Sequence, residues 1–343
     1  MLRIAIIGAG MPVQVGHAPA LQALRDRYQV VAIADVSPDA LERVGVMLAV
    51  PAEHRYTDYQ EMLLREKVDV VDIALPNAYH HEAAMAALLA GAHLIIERPL
   101  ALSVADAEEL LRLAESRGRL ITVLHYYRFY PPFREAIRLV NTGAIGQPFL
   151  IRCEGVTGGF GPGTPTYHPQ WHDNPIIAGG GVWMESGYHA VYLCTALMES
   201  PIVSVSASID SYTSEFTVDD TAVVTLSHEN NGVSHIQVAW SVPAGGQRVF
   251  EIHGTEGSIA LDHEGYPLGL FDNATRTWSH PTITPARAES FIDIFAALAD
   301  CLSFGAPPPV SHRDALQTLE VVQAGYRASA ENAVEGIGQG GGL

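Results

Sequence analysis

The sequence predicts two domains of different construction. An α/β domain with an open, doubly wound parallel sheet covers residues 1–124, and an α+β domain on a large, mostly antiparallel sheet covers residues 125–343. Three observations predict this. At 343 residues the chain exceeds what one ordinary core organises. Its first third alternates short apolar runs with segments of helical spacing, as βα units do. The rest strings together segments rich in Val, Ile, Thr and Ser with few helices between them. Parallel strands need long crossovers, so such strands must pair antiparallel or mixed.

Residues 2–7 are apolar almost throughout and end in Gly8-Ala9-Gly10. A run without alternation is a strand buried on both faces. Residues 18–28 have helical spacing, and 29–34 form a second apolar strand that ends at Asp35. Strand, glycine turn, helix, strand and acidic residue is the order of a dinucleotide-binding (Rossmann) unit. Gly8 permits the tight turn. Gly10 lets the backbone approach a pyrophosphate at the helix start, where Met11 and Pro12 follow. Asp35 can accept hydrogen bonds from both ribose hydroxyls. The fingerprint departs from its usual form: Val13 stands where a third glycine is expected, and Pro12 brings no N–H to the turn. Gly16 is expected to supply the close packing after a loop lengthened by one residue.

The alternation continues. A helix at 38–48 is capped by Ser37 with Pro38 in its first turn, and a second helix covers 58–65. A strand at 68–75 leads to a helix at 77–90. A strand at 92–96 stops at Glu97-Arg98-Pro99, a helix at 103–117 starts at Ser103, and a strand at 120–124 reaches His125-Tyr126-Tyr127-Arg128. Ligands of such sheets sit beyond the carboxyl ends of the strands. Those ends carry Gly8, Asp35, Leu75, Pro76, Asn77, Glu97, Arg98, His125 and Tyr126.

In the second half, a helix at 132–141 precedes strands at 149–156, 202–210, 221–228, 234–241 and 247–254, with short pieces at 258–261 and 268–272. Helices are expected at 182–197, 285–302 and 311–330, and a frayed, Gly-rich tail at 335–343. So few helices are expected to leave an apolar sheet face uncovered, which favours self-association. Residues 157–181 form a loop dense in Gly and Pro that carries Tyr167, His168, Trp171, His172 and Asp173. Loops of this length act as lids or binding loops, and these rings are expected to cover a polar substrate. No metal is expected there, because Pro169 opposes the helix that would bring His168 and His172 together. Next comes Gly179-Gly180-Gly181 and an apolar run in which Glu185, His189 and Tyr192 share one helix face. That stripe reads either as a helix aimed into a site or as a solvated Glu–His pair.

The net charge of −18 argues against nucleic acid or an anionic membrane as partner. No leader and no membrane span are expected, because no charged-then-apolar opening and no apolar run long enough to span a bilayer is seen in the sequence. Its three cysteines, Cys153, Cys194 and Cys301, lack the spacing of a zinc site or a disulfide framework. A cytoplasmic setting is expected.

The chain resembles the glucose–fructose oxidoreductase/inositol dehydrogenase (Gfo/Idh/MocA) family along nearly its whole length. The resemblance is carried by Ile7-Gly8-Ala9-Gly10 with Asp35, Ala74-Leu75-Pro76-Asn77 with His80 and Glu82, Glu97-Arg98-Pro99-Leu100-Ala101, the 179–189 stretch and the ending 310–327. It implies NAD or NADP in the first domain. It also implies oxidation or reduction of a hydroxyl or keto group of a sugar, cyclitol or related polyol. NAD is expected over NADP, because Asp35 repels a 2′-phosphate and no Arg follows it at once. His80 joins the expected cofactor contacts, and the Arg98–Pro99 peptide is expected to be cis. Two departures stand out. The family's Glu-Lys-Pro is Glu97-Arg98-Pro99 here, and its Asp-x-Gly-x-His is Glu185-Ser186-Gly187-Tyr188-His189, with Tyr192 where a further Asp is frequent. The resemblance implies His189 as general acid–base, with Glu185 and Arg98 beside it as catalytic groups. Tyr126, Arg128, Tyr167, His168, Trp171 and His172 are the expected substrate contacts. A homodimer or homotetramer through the second sheet is expected. Alternatives are a lyase or glycosidase that uses tightly bound NAD for a transient oxidation, and a non-catalytic nucleotide-binding regulator.

Overall fold

A computed structural model of the chain describes residues 1–156, 170–213, 215–244 and 248–338. The first apolar run is strand β1 (Leu2–Ile7), buried from Ile4 onward. It leads through a helix ending in α1 (Ala18–Ala23) to β2 (Tyr28–Ala34), α2 (Pro38–Met47), β3 (Arg55–Tyr56), α3 (Tyr59–Arg65), β4 (Val70–Ile73), α4 (His80–Leu89), β5 (His93–Ile96), α5 (Val104–Ser116) and β6 (Ile121–Val123). The side chains of Ser37, Asp58 and Ser103 accept from Ala40, Gln60 and Asp106, and so cap α2, α3 and α5. All six strands are parallel, in the order β3-β2-β1-β4-β5-β6. The order reverses at β1, so the ligand-binding switch point lies at the carboxyl ends of β1 and β4.

The helix after the glycine turn differs from expectation. It already starts at residue 11 and contains a π-turn, Val13–His17, before α1. The extra residue expected in a longer loop is absorbed inside the helix, as a π-bulge does. Gly16 packs closely, but not on the strand: a Cβ there would stand 2.9 Å from the Phe291 ring. Phe291 belongs to the helix Arg287–Phe304, on which the Tyr28 hydroxyl also donates to the Phe295 carbonyl. The first compact unit is therefore Met1–Phe129 together with Ala286–Leu316, whereas the sequence assigned 286–316 to the second domain. Phe295, Leu298 and Val310 share one core with Ile4, Leu21 and Ile33.

The second unit comprises Tyr130–Pro285 and Gln317–Leu343. Its elements are α6 (Pro131–Asn141), β7 (Pro148–Val156), α7 (Pro175–Ala178), α8 (Tyr188–Met198), β8 (Ile202–Asp210), β9 (Thr221–His228), β10 (Val233–Ala239), β11 (Arg248–Gly254), β12 (Gly257–His263), β13 (Tyr266–Asp272), β14 (Thr277–Ser279) and β15 (Glu335–Gly336). The helix Arg287–Phe304 is α9, and α10 (His312–Glu331) crosses from one unit's residues into the other's. The nine strands run β14-β13-β12-β11-β7-β10-β9-β8-β15, with β7 and β10 parallel and the other pairs antiparallel. Residues 335–336, expected to fray, instead pair with Val205 and Ser204. Residues 339–343 lie outside the described residues.

The expected apolar outer face is not what the strands present. Ala222, Val224, Leu226, Ser234, Ile236 and Val238 are buried in strict alternation with half-buried neighbours. The opposite face carries Arg152, which pairs with Glu154 and Glu251. Period-two alternation sends the fully buried set to one face and leaves Leu150, Val223, Val233 and Val249 half-buried among polar residues on the other. No helix among the described residues is long and apolar enough to cross a membrane. All three cysteines are free thiols.

Candidate active site

In the first unit, β1 ends in a turn that only glycine can make. Gly8 has φ +95°, and a Cβ there would stand 2.2 Å from the Ala74 carbonyl oxygen. Gly10 is open: its Cβ would meet only the Pro12 ring, at 3.8 Å. Met11 is half-buried and Pro12 exposed at the helix start. Asp35, at the end of β2, is pinned against this turn. Its carboxylate accepts from Ala9 N–H at 2.6 Å and from Ser37 N–H at 2.7 Å. Each carboxylate oxygen has two acceptor sites, so capacity for ribose hydroxyls remains. A backbone open to close approach at the helix start, with a fixed carboxylate beside it, fits an NAD dinucleotide.

A buried charge network lies under this turn, and the sequence reading missed it. His17 is fully buried in the π-turn. Its Nδ1 donates to Asp72 at 2.9 Å, and its Nε2 donates to Glu97 at 3.1 Å. Burial disfavours the imidazolium, but the Asp72 charge and the hydrogen bonds to both carboxylates outweigh it and push the pKa up to about 10. Burial raises Glu97, yet His17 and Arg98 win and hold it below the usual carboxylate range. Glu97 also accepts from the Arg98 N–H. The helix after the turn is thus tied to the ends of β4 and β5. A signal was present: Asp72 sits amid the apolar run of the strand, and a buried carboxylate needs a partner.

The other strand-end residues divide in role. Leu75, half-buried, approaches the Cβ position of Gly8, and Asn77 is buried. His80, expected among the cofactor contacts, is fully buried instead. Its ring nitrogens face the Pro99 and Leu75 carbonyl oxygens at 2.6 and 2.8 Å, bracing the ends of β4 and β5 around Pro76. Burial pushes its pKa down. The Arg98–Pro99 peptide is cis, as expected. Tyr126 stacks on Phe291 at 4.7 Å, and its hydroxyl accepts from Arg287. Burial drives its phenol pKa upward. Arg128 is paired with Asp314 at 3.2 Å. Burial, then Arg128, lowers His125 well below the ordinary imidazole range.

In the second unit, the helix carrying Glu185 opens with a second π-turn, Trp183–Gly187, which runs into α8. Its start is fixed by Asp219, another residue the sequence reading missed. The Asp219 carboxylate accepts from Gly181 N–H at 2.6 Å, Trp183 N–H at 2.9 Å and the Tyr326 hydroxyl at 2.9 Å. Burial nevertheless raises its pKa. The glycine run is therefore a close-packed start, not a flexible joint: a Cβ on Gly181 would stand 1.9 Å from the Asp219 carbonyl oxygen.

Glu185 is buried, with its Oε1 3.3 Å from His172 Nδ1. His172 stacks on Trp171 at 3.5 Å, and Thr217 holds their turn through Asp173. Of the four expected lid residues, His172 thus meets the expected carboxylate and Trp171 stacks on His172. The other two, Tyr167 and His168, lie outside the described residues. His189 pairs through Nδ1 with the Tyr192 hydroxyl at 2.8 Å, which orients its ring. Tyr192 makes this bond with a hydroxyl in the place where the family often has Asp.

Residues 2–125 match the profile of an oxidoreductase family with an NAD-binding Rossmann fold, GFO_IDH_MocA, and residues 133–260 match the GFO/IDH/MocA C-terminal domain. The uncharacterized oxidoreductase YfiI of Bacillus subtilis is 32% identical over 276 residues, covering 75% of this chain and 70% of that protein. A D-apiose dehydrogenase of Paraburkholderia graminis is 26% identical over 322 residues, covering 89% and 82%. In fold, a levoglucosan dehydrogenase solved with NADH and levoglucosan superposes with a TM-score of 0.87 over 98% of this chain and 100% of its own, at 22% identity.

Proposed function

The chain belongs to the GFO/IDH/MocA family of NAD-binding oxidoreductases, and from that premise we propose that it interconverts a hydroxyl and a keto group on a sugar, cyclitol or related polyol. The reading rests on one observation above all: the Asp35 carboxylate pinned against the glycine turn at the sheet's switch point. NAD is the preferred nucleotide on the same ground. The sugar-acting D-apiose dehydrogenase among the relatives supports the substrate class.

Gly8, Gly10, Met11 and Pro12 would hold the pyrophosphate side and Asp35 the ribose. Leu75, Pro76, Asn77, Glu97 and Arg98 would line the remaining strand ends, braced by His80. Bound NAD supplies the hydride acceptor or donor. The protein's own residues handle the proton. His189 takes it from, or returns it to, the reacting hydroxyl oxygen, because imidazole titrates nearest the working pH. Tyr192 orients that ring without adding a negative charge. Arg98 keeps its proton and acts as a fixed cation that stabilises developing negative charge on oxygen. Glu185 and His172 form a polar pair that, with Trp171, would contact substrate hydroxyls. Tyr126, Arg128, Tyr167 and His168 complete the proposed substrate set. The proposal includes assembly as a homodimer or homotetramer through the second sheet.

The test is native mass spectrometry for retained nucleotide, then a panel of polyols and ketosugars followed at the nicotinamide absorbance. Substrate-dependent change in NADH is expected. Product formation with catalytic NAD and no net change would overturn the reading in favour of a transient-oxidation lyase or glycosidase.

A further inference from the structure

At the edge of the second sheet we propose a binding site for a zinc-class divalent cation formed by His263, His280 and Glu264. The β12–β13 hairpin turns through Glu264 at φ 51° and Gly265 at φ 84°. Two left-handed residues make the tight turn that matches a hairpin's twist. The turn sets His263 opposite Tyr266. Strand β14 pairs with β13 as the edge strand, and His280 follows its last residue. Two imidazoles 17 positions apart in sequence therefore meet, with His263 Nδ1 3.2 Å from His280 Nε2. Glu264 joins them, so that one donor atom from each of the three residues lies within 4.8 Å of the other two.

Both rings are held in place. His263 stacks on Trp278 at 3.8 Å and 24°, and His280 on Tyr266 at 4.0 Å and 21°. Gly269 makes the room: a Cβ there would stand 3.0 Å from the His263 ring and 2.9 Å from Trp278.

The spacing carries the inference. Four-coordinate zinc binds imidazole nitrogen at about 2.0–2.1 Å, so two such ligands at the tetrahedral angle stand about 3.3–3.4 Å apart. The two imidazole nitrogens already have nearly that separation, kept by an N–H···N hydrogen bond. Loading the site moves the bridging proton to the other nitrogen of its own ring, so that both imidazoles stay neutral and each presents a lone pair to the ion. Two imidazoles and a carboxylate suit zinc, and copper or nickel by the general affinity order. A fourth position remains for water. The ion would pin the hairpin turn to the residue just beyond the edge strand, and would stabilise the fold by mass action.

The test uses the full-length, tag-free, chelator-treated chain titrated with zinc chloride by calorimetry. One equivalent per chain is expected, with a zinc-dependent rise in the thermal midpoint. His280→Gln should abolish both effects. Glu264→Gln, at an exposed position, should weaken binding by at least about tenfold, the scale on which even outer partners of a metal site act. Midpoints of the metal-free variants, compared with the parent chain, check that each folds. If His280→Gln does not fold, the Glu264→Gln titration decides alone. No saturable binding, or undiminished affinity in the variants, would overturn the proposal.

Discussion

Three side chains carry the proposed chemistry at the residue scale. Asp35 offers a carboxylate where a 2′-phosphate would bring like charge, so NAD should bind at least about tenfold tighter than NADP, a gap of about 1.4 kcal/mol. Fluorescence titration with both nucleotides measures this, and tighter binding of NADP refutes it. His189→Asn should lower turnover by about 10²–10⁴-fold with NAD affinity unchanged, the usual scale of lost general acid–base help. Arg98→Lys should keep activity, since the charge stays and the family's residue returns. Normal turnover by His189→Asn would move the proton-handling role to Tyr126 or His168. His17 makes the folded state pH-dependent. Its pKa stands at about 10 in the folded chain, against roughly 6.5 unfolded. The folded state thus holds a proton that the unfolded state releases. The stabilisation is full below pH ~6.5 and is lost as pH rises towards ~10. His17→Gln leaves two buried carboxylates without their cation, at a cost of about 3–5 kcal/mol. Urea denaturation should show a steeper loss of stability across that window in the parent chain than in the variant, and parallel pH profiles would disprove the role. Asp35 was legible from strand order, whereas His189 was singled out by the family resemblance, and its role belongs to the proposal. His17 was not legible, because its partners lie 55 and 80 positions away.

At the element scale, both site-bearing helices begin with a π-turn. Sequence periodicity placed the second helix closely, but it put the first at 18–28, whereas that helix already starts at residue 11 and ends at Ala23. Periodicity could not show the wider turn, which keeps helical dihedrals and changes only the hydrogen-bond partner. The start of the second helix depends on Asp219, whose carboxylate takes up N–H groups that a helix cannot satisfy itself and complements its dipole. Gly181→Ala would drive a Cβ into the Asp219 backbone. It should cost about 1–3 kcal/mol, the usual range for overpacking. Substrate KM should rise while NAD affinity holds. Unchanged stability in denaturant would show that the glycine run is as loose as its composition suggests.

At the scale of the whole molecule, the outer sheet face mixes Leu150, Val223, Val233 and Val249 with Arg152, Glu154, Gln237 and Glu251. Self-pairing through such a face should be weakened by salt, because its charges are screened. Light scattering at micromolar concentration should give a multiple of the chain mass that falls at high ionic strength, and a monomer at low salt would end the idea. By itself the sequence determined the two fold classes, five of the six parallel strands in their βα order (the two-residue edge strand Arg55–Tyr56 was missed), the glycine turn with Asp35, and the helix bearing Glu185 and His189. These follow from local periodicity, turn chemistry and caps, which act over a few residues. Tertiary structure alone decided that 286–316 packs in the first unit, that His17 joins Asp72 to Glu97, that Asp219 starts the second helix, and that His263 meets His280. Each of these joins distant segments, and partners that meet only after the chain has folded back leave no mark on local spacing.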